Sequence, residues 1–378
     1  MTRVQPEVEA FARIKVIGVG GSGSNTVDHM IRSKVKGVDF ICINTDAQDL
    51  HHSSAPKKIH IGKNLTRGLG AGMNPDIGKQ AAEETKEEIQ EAVKGADMVF
   101  IACGFGGGTA SGAAPIIAKT AREQGALTVA VITKPFTFEG AQRSKIAEEG
   151  LNELKGAVDA MIVVPNDKLL SIIQKETSFV SAFALCDEIL RQAVEGISDL
   201  ITLPGIVNVD FADVKAVMKD AGSALMGIGT AQGDKRAEEA ARMAISSPLL
   251  DVSIDGAKGI LFAVAGGTDM TMSEIQEAAT VITESVDEYA KIIFGAFHDE
   301  RLKKNELKVT VVASGFPRGA DTPTKSTGIN LFSDNGNKTE KNEKKETTIS
   351  NSATGKGDEK SKDWEAIPAF LRRSKKEE

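Results

Sequence analysis

The chain has few cysteines, no apolar run long enough to cross a membrane, and no excess of positive charge. Its three cysteines in 378 residues, Cys42, Cys103 and Cys186, lie far apart and among apolar neighbours. That spacing excludes a disulfide framework and a thiolate zinc site, and fits reduced thiols in a core. No segment approaches the roughly 20 apolar residues of a membrane helix. Met1-Thr2-Arg3-Val4-Gln5-Pro6-Glu7 has no leader-like apolar stretch, so a cytoplasmic protein is expected. A net charge of −7 argues against duplex nucleic acid as a main partner. A lysine is also missing from the most glycine-rich stretch, Gly104-Phe105-Gly106-Gly107-Gly108-Thr109-Ala110-Ser111-Gly112. The G-x-x-x-x-G-K-[ST] phosphate loop is therefore excluded.

What is there is an apolar run, residues 96–103, entering those glycines, and a helical pattern leaving them near Ala113. Glycines let backbone N–H groups approach an anion closely. The first helical turn leaves N–H groups unpaired at the positive end of the helix dipole. A phosphate held here would be held by backbone amides.

Apolar runs at 13–20, 38–44, 98–103, 127–132 and 160–164 read as strands. Helical patterns at 25–34, 76–93 and 113–124 lie between them. Continuous apolar strands alternating with helices imply a parallel α/β sheet covered on both faces. A single long helix is expected over 178–203, ending before Pro204-Gly205. Strands at 224–229, 259–265, 291–297 and 307–313, with helices at 236–245 and 273–287, predict a smaller α+β domain with a mixed sheet. Residues 317–362 hold few apolar side chains and nearly balanced charge, the composition of a disordered linker. Trp364-Glu365-Ala366-Ile367-Pro368-Ala369-Phe370-Leu371, with the only tryptophan, then reads as a docking peptide or a segment that packs back. The expected segments are an extension at 1–12, a nucleotide domain at 13–177, the helix at 178–203, a loop and helix at 204–220, the second domain at 221–316, a linker at 317–362 and a peptide at 363–378.

Gly18-Val19-Gly20-Gly21-Ser22-Gly23 satisfies the dinucleotide pattern, with Asp46 about where a ribose-binding acid would stand. An NAD-dependent oxidoreductase is therefore one reading. Further anion-friendly loops favour a nucleoside triphosphate with magnesium: Gly68 to Pro75, Gly104 to Gly112, and Lys134 to Gly140 with Arg143. At the carboxyl ends of parallel strands they converge on one crevice. Asn166 and Asp167 suit either a base edge or helix caps. Phe183 and Asp187 share a helix face, but a core ring beside a solvated acid is the simpler reading. Asp210 and Asp213 could orient water and metal, or could cap the following helix.

In this order the loops resemble the tubulin/FtsZ family of filament-forming GTPases, nearest its bacterial cell-division branch. Gly106-Gly107-Gly108-Thr109-Ala110-Ser111-Gly112 is similar to the signature G-G-G-T-G-[ST]-G. Asn208-Val209-Asp210-Phe211-Ala212-Asp213 is similar to the synergy loop, and Ile367-Pro368-Ala369-Phe370-Leu371-Arg372 to the docking peptide. The resemblance implies a Rossmann-like GTPase domain, GTP/GDP and Mg2+ as ligands, and a head-to-tail homopolymer at the midcell division site beneath the inner membrane. It also implies membrane-anchoring division proteins bound through residues 363–378. Gly21, Ser22, Gly23, Ser24 and Asn25 would line the phosphate and guanosine side. Ala71 and Gly72 would approach the γ-phosphate, and Gly107, Gly108, Thr109 and Ala110 would cradle the phosphates. Glu139 and Arg143 would hold ribose and phosphates. Asn166, Phe183 and Asp187 would recognise guanine. Asn208, Asp210 and Asp213 would complete the neighbouring subunit's site, so that hydrolysis needs polymerisation. A GTP-binding switch without hydrolysis is a further alternative. Ala110 stands where the family has glycine, and Ser22 and Ser24 interrupt the first glycine run. At a helix start alanine is expected to be tolerated.

Overall fold

The computed structural model describes residues 12–170, 178–247, 254 and 256–316. The expected disordered linker and docking peptide lie outside them. The elements run β1 (Ile14–Val19), α1 (Gly20–Arg32), β2 (Val38–Asn44), α2 (Ala47–His52), β3 (Lys57–His60), α3 (Lys63–Thr66), α4 (Pro75–Glu84), α5 (Lys86–Val93), β4 (Met98–Gly104) and α6 (Gly108–Glu123). There follow β5 (Leu127–Lys134), α7 (Ala141–Lys155), β6 (Ala160–Pro165), α8 (Asn166–Leu170), α9 (Phe179–Thr202) and α10 (Phe211–Met218). Last come β7 (Gly222–Gln232), α11 (Arg236–Ile245), β8 (Gly259–Gly266), α12 (Met272–Thr283), β9 (Lys291–His298) and β10 (Glu306–Ser314).

Strand order is β3-β2-β1-β4-β5-β6-β7-β10-β8-β9 in one ten-stranded sheet. The first six strands pair in parallel. Their order reverses between β1 and β4, where a doubly wound sheet opens its ligand crevice. β10 pairs antiparallel with β7 and β8, and β8 pairs parallel with β9, giving the expected mixed sheet. That sheet is continuous with the first, because β6 pairs with β7 over Ala160–Ile162.

β1 shows why apolar side chains occur on both faces of a strand, with Lys15 the one charged residue in it. Ile14 and Val16 face a core shared with Val27 and Met30 of α1 and Leu190 and Val194 of α9. Ile17 and Val19 face the opposite core, with Ala113 and Ile117 of α6. On that second face α4 and α6 touch backbone to backbone. A Cβ on Gly112 would sit 1.9 Å from the Pro75 carbonyl oxygen, and one on Gly78 would sit 2.2 Å from that of Gly108. Gly112 is thus a packing residue, though it ends the signature loop.

Three expectations need correction. The helices expected from 25 and 113 begin five residues earlier, at Gly20 and Gly108, so both glycine runs continue into a first helical turn. The helix expected over 76–93 is two helices, broken at Thr85, whose hydroxyl donates to the Ala81 carbonyl and accepts the Gly62 N–H. Side-chain bonds to the backbone compete there with the helical ladder. β3 was not expected. It is a four-residue edge strand with one buried side chain, Ile59, too little for a periodic signal.

An ionic track seats α9. Glu188 accepts from Arg191 at 2.6 Å and meets His29 of α1 at 2.9 Å. Arg191 also pairs with buried Glu195, which pairs with Arg301. Arg301 reaches Asp199 at 3.0 Å and Asp299 at 2.7 Å. Burial raises the carboxyl of Glu188, but Arg191 and His29 outweigh it and hold it down to about 2, against an ordinary 4.5.

Gly112→Val should force α4 from α6 and cost roughly 1–3 kcal/mol, an overpacking penalty. A fall in the thermal midpoint tests this; an unchanged midpoint contradicts it. Because Glu188 binds its proton more weakly folded than unfolded, its contribution is complete above pH 4.5 and fades toward pH 2. Glu188→Gln should therefore be less stable than wild type near pH 7, with the gap closing on acidification. A pH-independent gap in denaturant titrations contradicts that assignment.

Candidate functional site

The crevice at the strand-order reversal is a cavity of about 490 Å3. Two helices begin on it without side-chain caps, α1 behind Val19 and α6 behind Gly107. Their first-turn N–H groups carry partial positive charge with no protein acceptor from a cap. Gly106 turns the chain into α6 at φ +107°, a conformation that favours glycine, and its N–H donates to Ser111 Oγ at 3.0 Å. Gly108 N–H is taken by the Gly72 carbonyl at 2.8 Å, which fastens the second glycine loop to the start of α6. The N–H groups of Gly107, Thr109 and Ala110 find no carbonyl partner among the described residues and remain for an anion. Nothing lies within 4 Å of a Cβ built on Gly107, so that glycine leaves open space. Ala110 lies in the first turn of α6, is 4% exposed, and lacks the positive φ that would disfavour it. The substitution fits a helix start, as expected.

Thirteen of the expected residues line the cavity: Gly21, Ser22, Asn25, Gly72, Gly107, Gly108, Thr109, Ala110, Glu139, Arg143, Asn166, Phe183 and Asp187. Arg143 is the one lysine or arginine among the lining residues, and it donates to Glu139 at 2.6 Å. Glu139 also accepts the Phe136 N–H at 2.9 Å, so this acid is held from two sides. Phe183 meets Phe136 edge to face, ring centres 5.3 Å apart. Asn166 is 5% exposed, and its Oδ1 has no hydrogen-bond partner. A buried polar atom without a partner is costly unless a ligand supplies one. Asp167 turns instead to Thr137, whose N–H it accepts at 2.9 Å.

Three expected residues do not line the cavity. Gly23 packs α1 on the sheet: a Cβ there would meet the Ala102 carbonyl oxygen at 2.6 Å. Ser24 is buried at 1% exposure. Ala71 is buried and makes the turn to Asn74, accepting its N–H at 3.2 Å. Asp46 spends its carboxylate capping α2, accepting from Gln48 and Asp49 at 2.9 and 3.1 Å. It is absent from the cavity lining, which removes the support it gave a dinucleotide reading.

The residues missed from sequence include Thr133, Cys186 and Thr26. Thr133 and Cys186 belong to the lining, and Thr26 stands behind it, donating to Asp187 at 2.8 Å. Burial pushes the Cys186 thiol up to about 12, aided by the charge of Asp187, so it is an un-ionised wall group. Burial likewise raises the carboxyl of Asp187, opposed by Thr26, His29 and Arg32. No local pattern marks Thr26, whose partner is 161 residues away.

Asn208, Asp210 and Asp213 stand elsewhere. Asn208 Oδ1 accepts the Gly205 N–H at 2.7 Å and shapes the loop, which Val207 fastens to Ala296 of β9. Asp210 begins α10 without making a side-chain cap, so capping does not account for it. Asp213 lies in the first turn of α10, and both carboxylates are exposed. Asp187 is near the start of α9 and this loop follows its end; from Asp187 to Thr202 the helix advances roughly 22 Å. No group of three or more metal-ligating side chains occurs among the described residues. Of the lining carboxylates, Glu139 pairs with Arg143 and Asp187 accepts from Thr26 through Oδ1.

Residues 13–174 match the family model of the Tubulin/FtsZ family, GTPase domain, and residues 222–317 that of the FtsZ family, C-terminal domain. Among solved structures, an empty FtsZ dimer from M. jannaschii is 49% identical, covering 81% of this chain and 89% of that one, with TM-score 0.78. A point mutant of M. jannaschii FtsZ is 49% identical over 81% of this chain and 92% of its own, with TM-score 0.78. A GTPγS-bound protofilament of CetZ2 from Haloferax volcanii shares the fold at 22% identity, covering 81% and 94%, with TM-score 0.69. These relatives are archaeal, so the similarity does not single out the bacterial branch. The chain belongs to the tubulin/FtsZ family of GTPases.

Proposed function

We propose that the chain binds GTP in this cavity and hydrolyses it only when copies stack head to tail, each supplying Asp210 and Asp213 to its neighbour. The observation that carries this reading is that the acids do not line the uncapped cavity and follow the end of α9, roughly 22 Å along the helix from Asp187. An acid pair that cannot reach its own cavity serves another copy's.

In this reading Asn166, Phe183 and Asp187 hold guanine, and Glu139 and Arg143 hold ribose and phosphate. The free N–H groups of Gly107, Thr109 and Ala110 stabilise charge on the phosphates. Asp210 and Asp213 of the next copy orient the attacking water, with Asn208 shaping their loop. Phosphoryl transfer to water needs mostly positioning and charge stabilisation. Magnesium would neutralise phosphate charge. Residues 13–177 form the nucleotide domain, 178–203 the connecting helix, 204–220 the acidic delivery segment and 221–316 the second domain. A head-to-tail contact that does not close gives an open filament. The FtsZ relative solved as a dimer supports self-association. The filament is the division ring at midcell, beneath the inner membrane. Residues 363–378 dock the membrane-anchoring partners, a reading that rests on their sequence alone.

With GTP and magnesium the protein should sediment as polymer, and phosphate release per subunit should rise steeply with protein concentration. Asp213→Ala should bind GTP like wild type and lose turnover at least about a hundredfold, the scale of losing one positioned catalytic group. Concentration-independent turnover, or an active Asp213→Ala, refutes the shared site. Removing residues 363–378 should leave GTPase activity intact and abolish capture by membrane-bound anchor proteins in co-sedimentation with vesicles. Retained capture refutes the tail assignment.

A further inference from the structure

We infer that Thr26 is a positioning residue for base specificity: its hydroxyl orients the Asp187 carboxylate that reads the purine edge. This rests on the proposed guanine nucleotide reading and adds to it a residue outside the cavity lining.

Thr26 lies in α1, fully buried, one turn beyond Ser22 in the first turn of the same helix. Its Oγ1 is 2.8 Å from Asp187 Oδ1 and 3.0 Å from the Ser22 carbonyl oxygen. Both partners are acceptors and the hydroxyl has one proton, so the shorter bond, to the charged carboxylate, takes it in preference to the bond back to Ser22. The next contact along the same two helices is His29 with Glu188, at 2.9 Å. Asp187 is thus registered against α1 by its own bond and by its neighbour's.

The chemistry follows from lone pairs. A guanine edge presents two adjacent donors, N1–H and the 2-amino group. A carboxylate meets both only when its plane is aligned with that edge. One lone pair of Oδ1 is committed to Thr26. Oδ2 accepts no protein hydrogen bond among the described residues, and Asp187 lines the cavity. The bond to Thr26 fixes the rotation of the carboxylate and leaves an acceptor on each oxygen. It also favours the ionised form against burial, and only the ionised form accepts from both donors. The charged groups around Asp187 are His29 and Arg32 on α1, Glu188 on α9, and Glu139 and Arg143 elsewhere on the lining. The thiol of Cys186 also adjoins it.

Equilibrium binding of GTP and ITP to the full chain tests this, since ITP lacks the 2-amino donor. Wild type should prefer GTP, and Thr26→Val, which keeps the shape without the hydroxyl, should shrink that preference about tenfold. Thr26→Ser should restore it. The acid limb of GTP affinity should move to higher pH in Thr26→Val. In an Asp187→Ala background, Thr26→Val should leave the GTP/ITP ratio unchanged. A wild-type ratio in Thr26→Val overturns the inference while leaving GTP binding standing. Equal loss of GTP and ITP binding, not rescued by serine, also overturns it and marks Thr26 as packing. A wild-type protein that binds neither nucleotide would sink the GTP reading itself.

Discussion

A cavity without a lysine, whose one cationic side chain, Arg143, is already paired with Glu139, relies chiefly on backbone N–H groups to hold a phosphate, and the architecture around it follows from that constraint. N–H groups are presented in number only at helix starts, so two helices must begin at the crevice without caps, as α1 and α6 do. Their loops must leave room for the ligand, which Gly107 does. They must also be rigid. Gly112 and Gly78 bring α4 and α6 into backbone contact, and the Gly72 carbonyl fastens the neighbouring loop to Gly108. The glycines therefore divide between leaving space and removing it, and both uses serve the same cradle.

The second constraint is length. α9 starts at the wall with Phe183 and Asp187, and ends before the loop of Asn208, Asp210 and Asp213. Its polar groups are tied along one track, from His29 through Arg191 and Glu195 to Arg301. Glu195 at its centre is buried, so removing Arg191 or Arg301 would strand a buried charge, while the outer pairs reach solvent and matter less. The helix acts as a spacer of fixed length that holds the cavity and the acids apart. In the proposed mechanism that separation makes assembly a condition of turnover.

The parallel sheet was legible because strands buried on both faces are nearly continuous apolar runs, as in Met98 to Cys103. α9 was legible because its apolar residues recur at helical spacing over 24 residues. β3 was not, since an edge strand with one buried side chain carries no periodicity. The break at Thr85 was hidden because it depends on a bond to Gly62, distant in sequence. Within the site, the glycine loops were visible as loops, but their individual duties were not. Gly23 looks like a ligand glycine and is a packing residue, a distinction set by the Ala102 carbonyl beside it. Thr26 carried no local signal at all, because its meaning lies in Asp187 on another helix. Local pattern reports elements and anion-friendly loops; which atom faces the cavity is decided by tertiary neighbours.

The central claim is that one active site is assembled from two copies, and mixing two defective variants tests it most directly. Asp213→Ala retains the cavity and lacks the acid, while Gly107→Val fills the cradle and retains the acid. Each alone should be nearly inactive as a GTPase. Titrating Gly107→Val into Asp213→Ala should restore phosphate release in proportion to mixed contacts. A mixture no more active than its components, under conditions where both co-sediment, would contradict the account.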